Sequence, residues 1–267
     1  MLKTQNGTPA SRLGFASQYT QDPTCIRAAF EAGINYFFDY QLPKEPILAE
    51  LKPLLASDRA SILYTVGSES RDIETLRQQR DEIRQQLQID CIDIFFTEYL
   101  SPSDRADNIK AVIKELYAWK AQGLIRYVGV TTHHRPTGLA VIEQRNCDVL
   151  MHRYNMAHRK AETDLLPAAQ AAKIPVIAFT CTRWGTLLTQ QPNETRTPPT
   201  AADCYRFALH HPAVGLALTS PRDHAQLTEN LQVLYTPSFS PEEVDHWQNY
   251  GDFVYGEGQH TFETLYP

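Results

Sequence analysis

Cysteine is sparse in this 267-residue chain, and none of it is paired in sequence. Cys25, Cys91, Cys147, Cys181 and Cys204 are odd in number and scattered, with no CxxC among them. That spacing offers neither a zinc ribbon nor a disulfide framework, and no metal is expected. The thiols read as small buried hydrophobes in a reducing compartment, so the expected location is the cytoplasm. No apolar run approaches the ~18–20 residues of a membrane-spanning helix. The opening Met1-Leu2-Lys3-Thr4-Gln5-Asn6-Gly7 lacks the apolar segment of a signal peptide. A polybasic run is missing too: 25 Lys and Arg against 31 Asp and Glu leave a net charge of −6. Such a chain has no electrostatic footprint for nucleic acid or an anionic membrane surface. A Gly-rich first strand–helix turn, the mark of one class of dinucleotide-binding sheets, is also absent.

What is present is a core. Hydrophobic residues make up 42% of the chain and aromatics 10%, which argues against disorder. The length suits two domains at ~150 residues each, or one large α/β barrel. Short, nearly continuous apolar runs recur at 12–16, 35–39, 61–65, 92–97, 126–131, 148–152, 175–180 and 214–219, as expected of strands covered on both faces. Amphipathic stretches lie between them. Residues 71–88 carry Ile73, Leu76, Ile83 and Leu87 at helical spacing, and 104–122 carry Ile109, Val112, Ile113, Leu116 and Trp119. Gly123 then stands where a helix-ending glycine belongs. Eight unbroken strand–helix alternations predict a single (β/α)8 TIM barrel spanning 1–267, with a doubly wound sheet as the rival. The Pro-rich stretch 190–200 reads as a long loop. The tail 235–267, rich in Pro, Gly and aromatics, is expected to pack on one barrel face.

In such a barrel the chemistry sits at the C-terminal ends of the strands. That rule selects Asp39 and Tyr40, with Lys44 beyond; Thr97, Glu98 and Tyr99; Thr131, Thr132, His133 and His134; Met151, His152, Arg153 and Tyr154; Thr180 to Trp184; and Ser220 to Arg222. For any one of these a helix cap or an ion pair is an equally good explanation. The His133-His134 pair has no carboxylate at ligand spacing, so a metal site is the weaker reading.

These residues resemble the aldo-keto reductase superfamily from about Arg12 to Leu234. Ala32-Gly33-Ile34-Asn35-Tyr36-Phe37-Phe38-Asp39 is similar to the family's second strand, and Gly123-Leu124-Ile125-Arg126-Tyr127-Val128-Gly129-Val130-Thr131-Thr132-His133 to its fifth. Tyr154-Asn155, Leu165-Leu166-Pro167, and Arg222 with Gln226 and Asn230-Leu231 are similar to later landmarks. The resemblance implies extended NADP(H) and reduction of a carbonyl. It also implies a proton-donating tyrosine supported by an aspartate, a lysine and a histidine.

Carried over, Asp39 matches the aspartate. Lys44, or Gln41 if three residues are deleted, falls where the tyrosine belongs, with Tyr40 close by. Val66 takes the lysine's place and Glu98 the histidine's. Thr131-Thr132 replaces the Ser-Asn pair that would hold the carboxamide, Met151 replaces a glutamine, and Phe179 replaces the stacking tyrosine. Ser220 and Arg222, with Gln226 and Asn230, would face the adenosine end, Arg222 at a helix start suited to a 2′-phosphate.

Three readings follow. One is a divergent NADP(H)-dependent oxidoreductase acting on a small carbonyl or alcohol, in which Tyr40 or a protonated Glu98 donates the proton. The second is a non-redox lyase, dehydratase or isomerase using Asp39, Lys44 and Glu98, with His133, His152 and Arg153 holding the substrate. The third is a pseudoenzyme. A small molecule is the expected partner; the oligomeric state is not legible.

Overall fold

The computed structural model describes residues 1–256. Eight parallel strands close into a barrel in chain order: β1 (Leu13–Ala16), β2 (Tyr36–Asp39), β3 (Leu63–Ser68), β4 (Ile92–Thr97), β5 (Ile125–Thr132), β6 (Val149–Arg153), β7 (Val176–Phe179) and β8 (Val214–Thr219). Around it run α1 (Cys25–Glu31), α2 (Ile47–Asp58), α3 (Ile73–Leu87), α4 (Ala106–Ala121), α5 (Arg135–Glu143), α6 (Leu165–Ala172), α7 (Ala201–His210) and α8 (His224–Leu231). The doubly wound alternative is thereby excluded. No helix among the described residues is long and apolar enough to cross a membrane.

The local sequence accounts for the elements. In α3 the Asp72 side chain accepts the Thr75 amide at the N-terminus, and Leu76, Ile83 and Leu87 bury the inner stripe. Gly123 follows α4 at φ +75°, the left-handed turn that ends a helix at little cost only in glycine. The four cysteines Cys25, Cys147, Cys181 and Cys204 are buried, and all five are free thiols. Apolar side chains form two layers. Tyr36, Phe38, Ile94, Phe96, Met151 and Phe179 fill the barrel interior, while Phe37, Tyr64, Phe95, Val128 and Leu150 face the helices. The barrel is thus a packed core rather than a pore.

Three features differ from the sequence reading. The third strand runs to Ser68 instead of stopping at Thr65, because its ladder continues through Val66↔Phe95, Gly67↔Phe96 and Ser68↔Thr97. The first ten residues turn back through a Lys3↔Pro9 bridge and bury Leu2 in the interior cluster, closing the end where the strands begin. The tail contains a ninth helix, α9 (Pro241–Tyr255), started by a reciprocal Ser240–Glu243 capping box with Pro in the first turn. It docks on the segment after β6, where a Cβ at Gly251 would collide with the Met156 carbonyl. Residues 257–267 of the tail lie outside the described residues.

Candidate active site at the barrel mouth

Side chains of a strand alternate between faces, so the inward row Ile94 and Phe96 of β4 continues to Glu98. The carboxyl is 2% exposed, and its Oε1 has no hydrogen-bond partner among the described residues. The backbone at Glu98 is pinned on both sides: its amide donates to the Ser68 carbonyl, and its carbonyl accepts from Arg71 Nη2 at 2.8 Å. Gly67 makes the room, since a Cβ there would land on the Glu98 side chain. Burial above all, and then the charge of Glu69, pushes the Glu98 carboxyl up to about 9, with Arg71 opposing. At neutral pH it therefore carries its proton.

An aromatic ladder crosses the mouth beside it. Tyr40 stacks on Tyr99 with centroids 6.2 Å apart, Tyr99 on His133 at 5.6 Å, and His133 leans on Phe179 at 4.6 Å. Trp184 lies 6.4 Å from the His133 ring. Burial pushes the Tyr40 phenol up to about 12, and it drives the His133 imidazole down to about 2, helped by the Arg153 charge. Tyr99, Thr180, Arg183 and Trp184 all have positive φ. Such non-glycine conformations cost about 1–3 kcal/mol each and cluster at functional sites.

Asp39 is buried behind this group, accepting from the Tyr64 phenol at 3.0 Å and from the Ser17 hydroxyl. Burial raises it to about 6, against the pull of those two hydroxyls. Its register partner on β3 is Val66, so no ammonium faces it there. Lys44 is exposed on the turn between β2 and α2. Its ammonium has no hydrogen bond or ion pair among the described residues, so the structure does not join it to Asp39 and Glu98 as the sequence reading expected.

Of the other residues singled out from the sequence, Thr131 accepts the Tyr99 amide at 2.7 Å. Thr132 spends its hydroxyl on the Leu100 carbonyl at 2.6 Å and the His134 amide at 3.0 Å. Ser220 donates to the Ala16 carbonyl at 2.8 Å and accepts the Tyr19 amide, tying the loops after β8 and β1 together. Arg222 is exposed at the start of α8, with its backbone amide on Gln226 Oε1 at 3.0 Å. Asn230 is buried and donates to Thr219, while its Oδ1 has no partner among the described residues. His152 (Nδ1 2.7 Å from the Thr132 carbonyl) and Arg153 line a cavity of about 360 Å³ with His133.

Sequence reasoning missed Gly67 as part of the mouth, and Arg135, His158, Arg159 and Lys160 around that cavity. Only the basic run His158-Arg159-Lys160 was visible as a signal.

Fold and mouth together define a (β/α)8-barrel protein with a buried acid and two loop-borne polar clusters at the C-terminal end of the strands. The sequence model of the Aldo/keto reductase family matches residues 16–203, and the chain belongs to that family. It is 25% identical over 152 residues to the NADH-specific methylglyoxal reductase of Escherichia coli K12, a match covering 55% of this chain and 47% of that protein. It thus spans about half the length of that relative. To methylglyoxal reductase DkgA of Yersinia pestis it is 27% identical over 195 residues, covering 65% of this chain and 68% of that one. Among solved structures, the holo form of an aldo-keto reductase from Bacillus halodurans superposes with a TM-score of 0.77 at 18% identity, covering 93% of this chain and 95% of that one. An aldo-keto reductase from Klebsiella pneumoniae in complex with NADPH gives 0.76 at 16%, covering 94% and 96%.

Whether NADP(H) fits can be tested on this chain's own atoms. For the adenosine end, Arg222 offers an exposed guanidinium just before the N-cap of α8, and the buried Asn230 Oδ1 is an acceptor without a donor among the described residues. At the nicotinamide end, Met151 offers no polar group, Thr132 is committed, and the His133 ring leans on Phe179 at 4.6 Å.

Proposed function

We propose that this chain is an NADP(H)-dependent reductase of small carbonyl compounds whose proton comes from Glu98 rather than from a tyrosine. The observation that carries the reading is the neutral, buried Glu98 carboxyl with an unengaged oxygen at the barrel mouth. Bound nicotinamide would supply the hydride. Arg222, Gln226 and Asn230 would hold the adenosine end, and Phe179 would offer its face once the His133 ring turned aside. Glu98 would donate to the carbonyl oxygen as negative charge builds there, a role for which a pKa near the working pH is favourable. Tyr40 lacks the neighbouring ammonium that would ease its proton loss, since β3 places Val66 opposite Asp39. Asp39, bound to two hydroxyls, orients Tyr64 and Ser17 and stays out of the transfer. The family membership and the methylglyoxal reductases among the relatives support the substrate class.

The test is NADPH oxidation coupled to methylglyoxal. Glu98→Gln is expected to lower kcat by about 10²–10⁴-fold, the usual worth of one positioned proton donor, in a protein whose circular dichroism is that of the wild type. Full activity in Glu98→Gln would remove Glu98 from the chemistry.

A second reading is favoured by one observation, the His133 ring tilted against Phe179 at 4.6 Å. A cofactor-free lyase, dehydratase or isomerase would use Glu98 as its acid behind a closed nicotinamide position. Titration with NADPH separates the two. Saturable binding weakened by Arg222→Ala supports the reductase, and no binding at millimolar NADPH supports the cofactor-free enzyme.

A further inference from the structure

We propose that Arg71 is the positioning residue for Glu98: one guanidinium joins the loops after β3 and β4 and so fixes the peptide group from which the carboxyl is aimed into the mouth. The clamp stands on its own contacts; that the aimed carboxyl delivers a proton to a carbonyl rests on the reading above.

Arg71 follows Ser68, the last residue of β3, by three positions, and each of its guanidinium nitrogens is spent on a different place. Nη2 donates to the Glu98 carbonyl at 2.8 Å, Nη1 to the Glu69 carbonyl at 2.9 Å, and Nε to Asp104 Oδ1 at 3.0 Å. Asp104 Oδ2 lies 3.2 Å from Nη2 and also accepts the Ser101 amide at 2.8 Å, which carries the grip into the loop after β4. The amide of Tyr99 donates to Thr131 Oγ1 at 2.7 Å. The peptide group between Glu98 and Tyr99 is thus held by its oxygen from the loop after β3 and by its N–H from β5. Its plane sets ψ of Glu98 and φ of Tyr99. That φ is +50°, a left-handed value that a residue with a side chain keeps only where its surroundings hold it.

An exposed ion pair contributes little to a fold, and lysine serves there as well as arginine. A forked donor that spans three acceptors cannot be exchanged in that way, and this one is drier than a surface pair, with 17% of the Arg71 side chain and 18% of the Asp104 side chain exposed. Its charge also reaches the reacting group. Among the described residues, the titratable groups that face Glu98 are Glu69 and Arg71 from the loop after β3, Tyr40 from the turn after β2, and Tyr99 beside it. Burial holds both phenols above the ordinary tyrosine range, so they stay neutral around the pH at which Glu98 titrates. Glu69 favours the proton on Glu98 and Arg71 opposes it. Arg71 therefore does two separable things: it aims the carboxyl through hydrogen bonds, and by its charge it eases release of the proton. Lysine in its place keeps the charge and loses the fork; glutamine loses both.

Two readouts test this. One is NADPH-coupled methylglyoxal reduction followed against pH. The other needs no turnover: the infrared band of the protonated Glu98 carboxyl, assigned by its loss in Glu98→Gln, is titrated in the wild type and the variants. Arg71→Lys should lower kcat by about 10- to 100-fold, the scale of a misplaced reacting group, while KM and the pH of the alkaline fall stay where they are. Arg71→Gln should lower kcat at least as far, and should move both the alkaline fall and the loss of the band up by about one pH unit. Arg71→Lys keeps the test open if Arg71→Gln fails to fold. Arg77→Gln, which breaks an exposed pair with Glu115, is the control and should match the wild type in both readouts. If both Arg71 variants match the wild type while Glu98→Gln is inactive, the clamp is overturned and the reductase reading stands. A lowered thermal midpoint with kcat and the band unmoved makes Arg71 a support of the fold alone, which also overturns the clamp. If Arg71→Gln moves the band while Glu98→Gln keeps full activity, the clamp stands and the proton-donor reading falls. If the band does not move and Glu98→Gln is fully active, both fall.

Discussion

At the scale of single residues, the site turns on a carboxyl that is neutral because it is dry. The folded protein holds the Glu98 proton up to about 9, whereas an unfolded chain releases it near ~4.3. Between those values the native state binds more protons than the unfolded one, so its stability falls as pH rises. Glu98→Gln has no such proton to lose. Its urea midpoint relative to wild type should therefore climb steadily from pH 5 to pH 9, while wild-type kcat/KM falls above about 9. A midpoint difference that stays flat across this range would mean that the carboxyl is hydrated and ionised. His133 presents the opposite case, a ring kept neutral and leaning on Phe179. Aromatic contacts of the Tyr99–His133–Phe179 kind contribute about 0.5–1.5 kcal/mol each, and both must break before anything stacks on Phe179. Removing that cost in His133→Ala should tighten NADPH binding by about 5- to 150-fold, measured by fluorescence titration. Weaker binding would make His133 a cofactor contact instead.

At the scale of elements, β3 decides what Glu98 can be. Gly67 leaves the space that the Glu98 side chain fills, and Val66 stands opposite Asp39. Gly67→Ala is ordinarily a mild change in a strand, yet here the methyl and the carboxyl compete for one place. We expect kcat to drop by at least about 10-fold with the β3–β4 pairing intact by hydrogen exchange; unchanged kcat would show that the carboxyl can react from elsewhere. This pairing also marks where the sequence stopped being informative. Apolar runs and stripes such as Leu76, Ile83 and Leu87 follow from local periodicity, and so the barrel and the strand-end position of Glu98 were legible. The charge state of Glu98 was legible as an option, because burial at a strand end raises a carboxyl. Lys44 misled because its distance along the chain from Asp39 says nothing about which way the turn faces. The cavity cations could not be assembled beforehand, since they come from α5, β6 and the turn at Lys160–Thr163, and α9 closes them in. The Ser240–Glu243 capping box is a local signal for α9 that a reading of the tail by its Pro, Gly and aromatic content passed over.

At the scale of the whole molecule, the barrel separates what holds it together from what it does. An ion cluster ties the end where the strands begin. There Asp93, fully buried, pairs with Arg59 and Arg126 at 2.7 Å each and accepts the Tyr64 amide at 2.9 Å, while Leu2 closes the interior. The mouth at the other end accepts buried uncharged acid and positive φ at four side-chain-bearing residues, both of which lower stability. Such a site persists only on a scaffold that is over-determined elsewhere. The two ends should then respond independently to mutation, because sites with no shared partners add. Asp93→Ala leaves two arginines facing a buried gap, a change expected to cost about 3–5 kcal/mol of unfolding free energy. The same variant, assayed at low temperature where it remains folded, should keep NADPH affinity and kcat/KM within about twofold of wild type. A variant equally destabilised but also impaired at the mouth would mean that the ion cluster at the barrel floor sets the geometry of Glu98 through β4, which carries Asp93 and ends one residue before Glu98, and that the two ends are one cooperative unit.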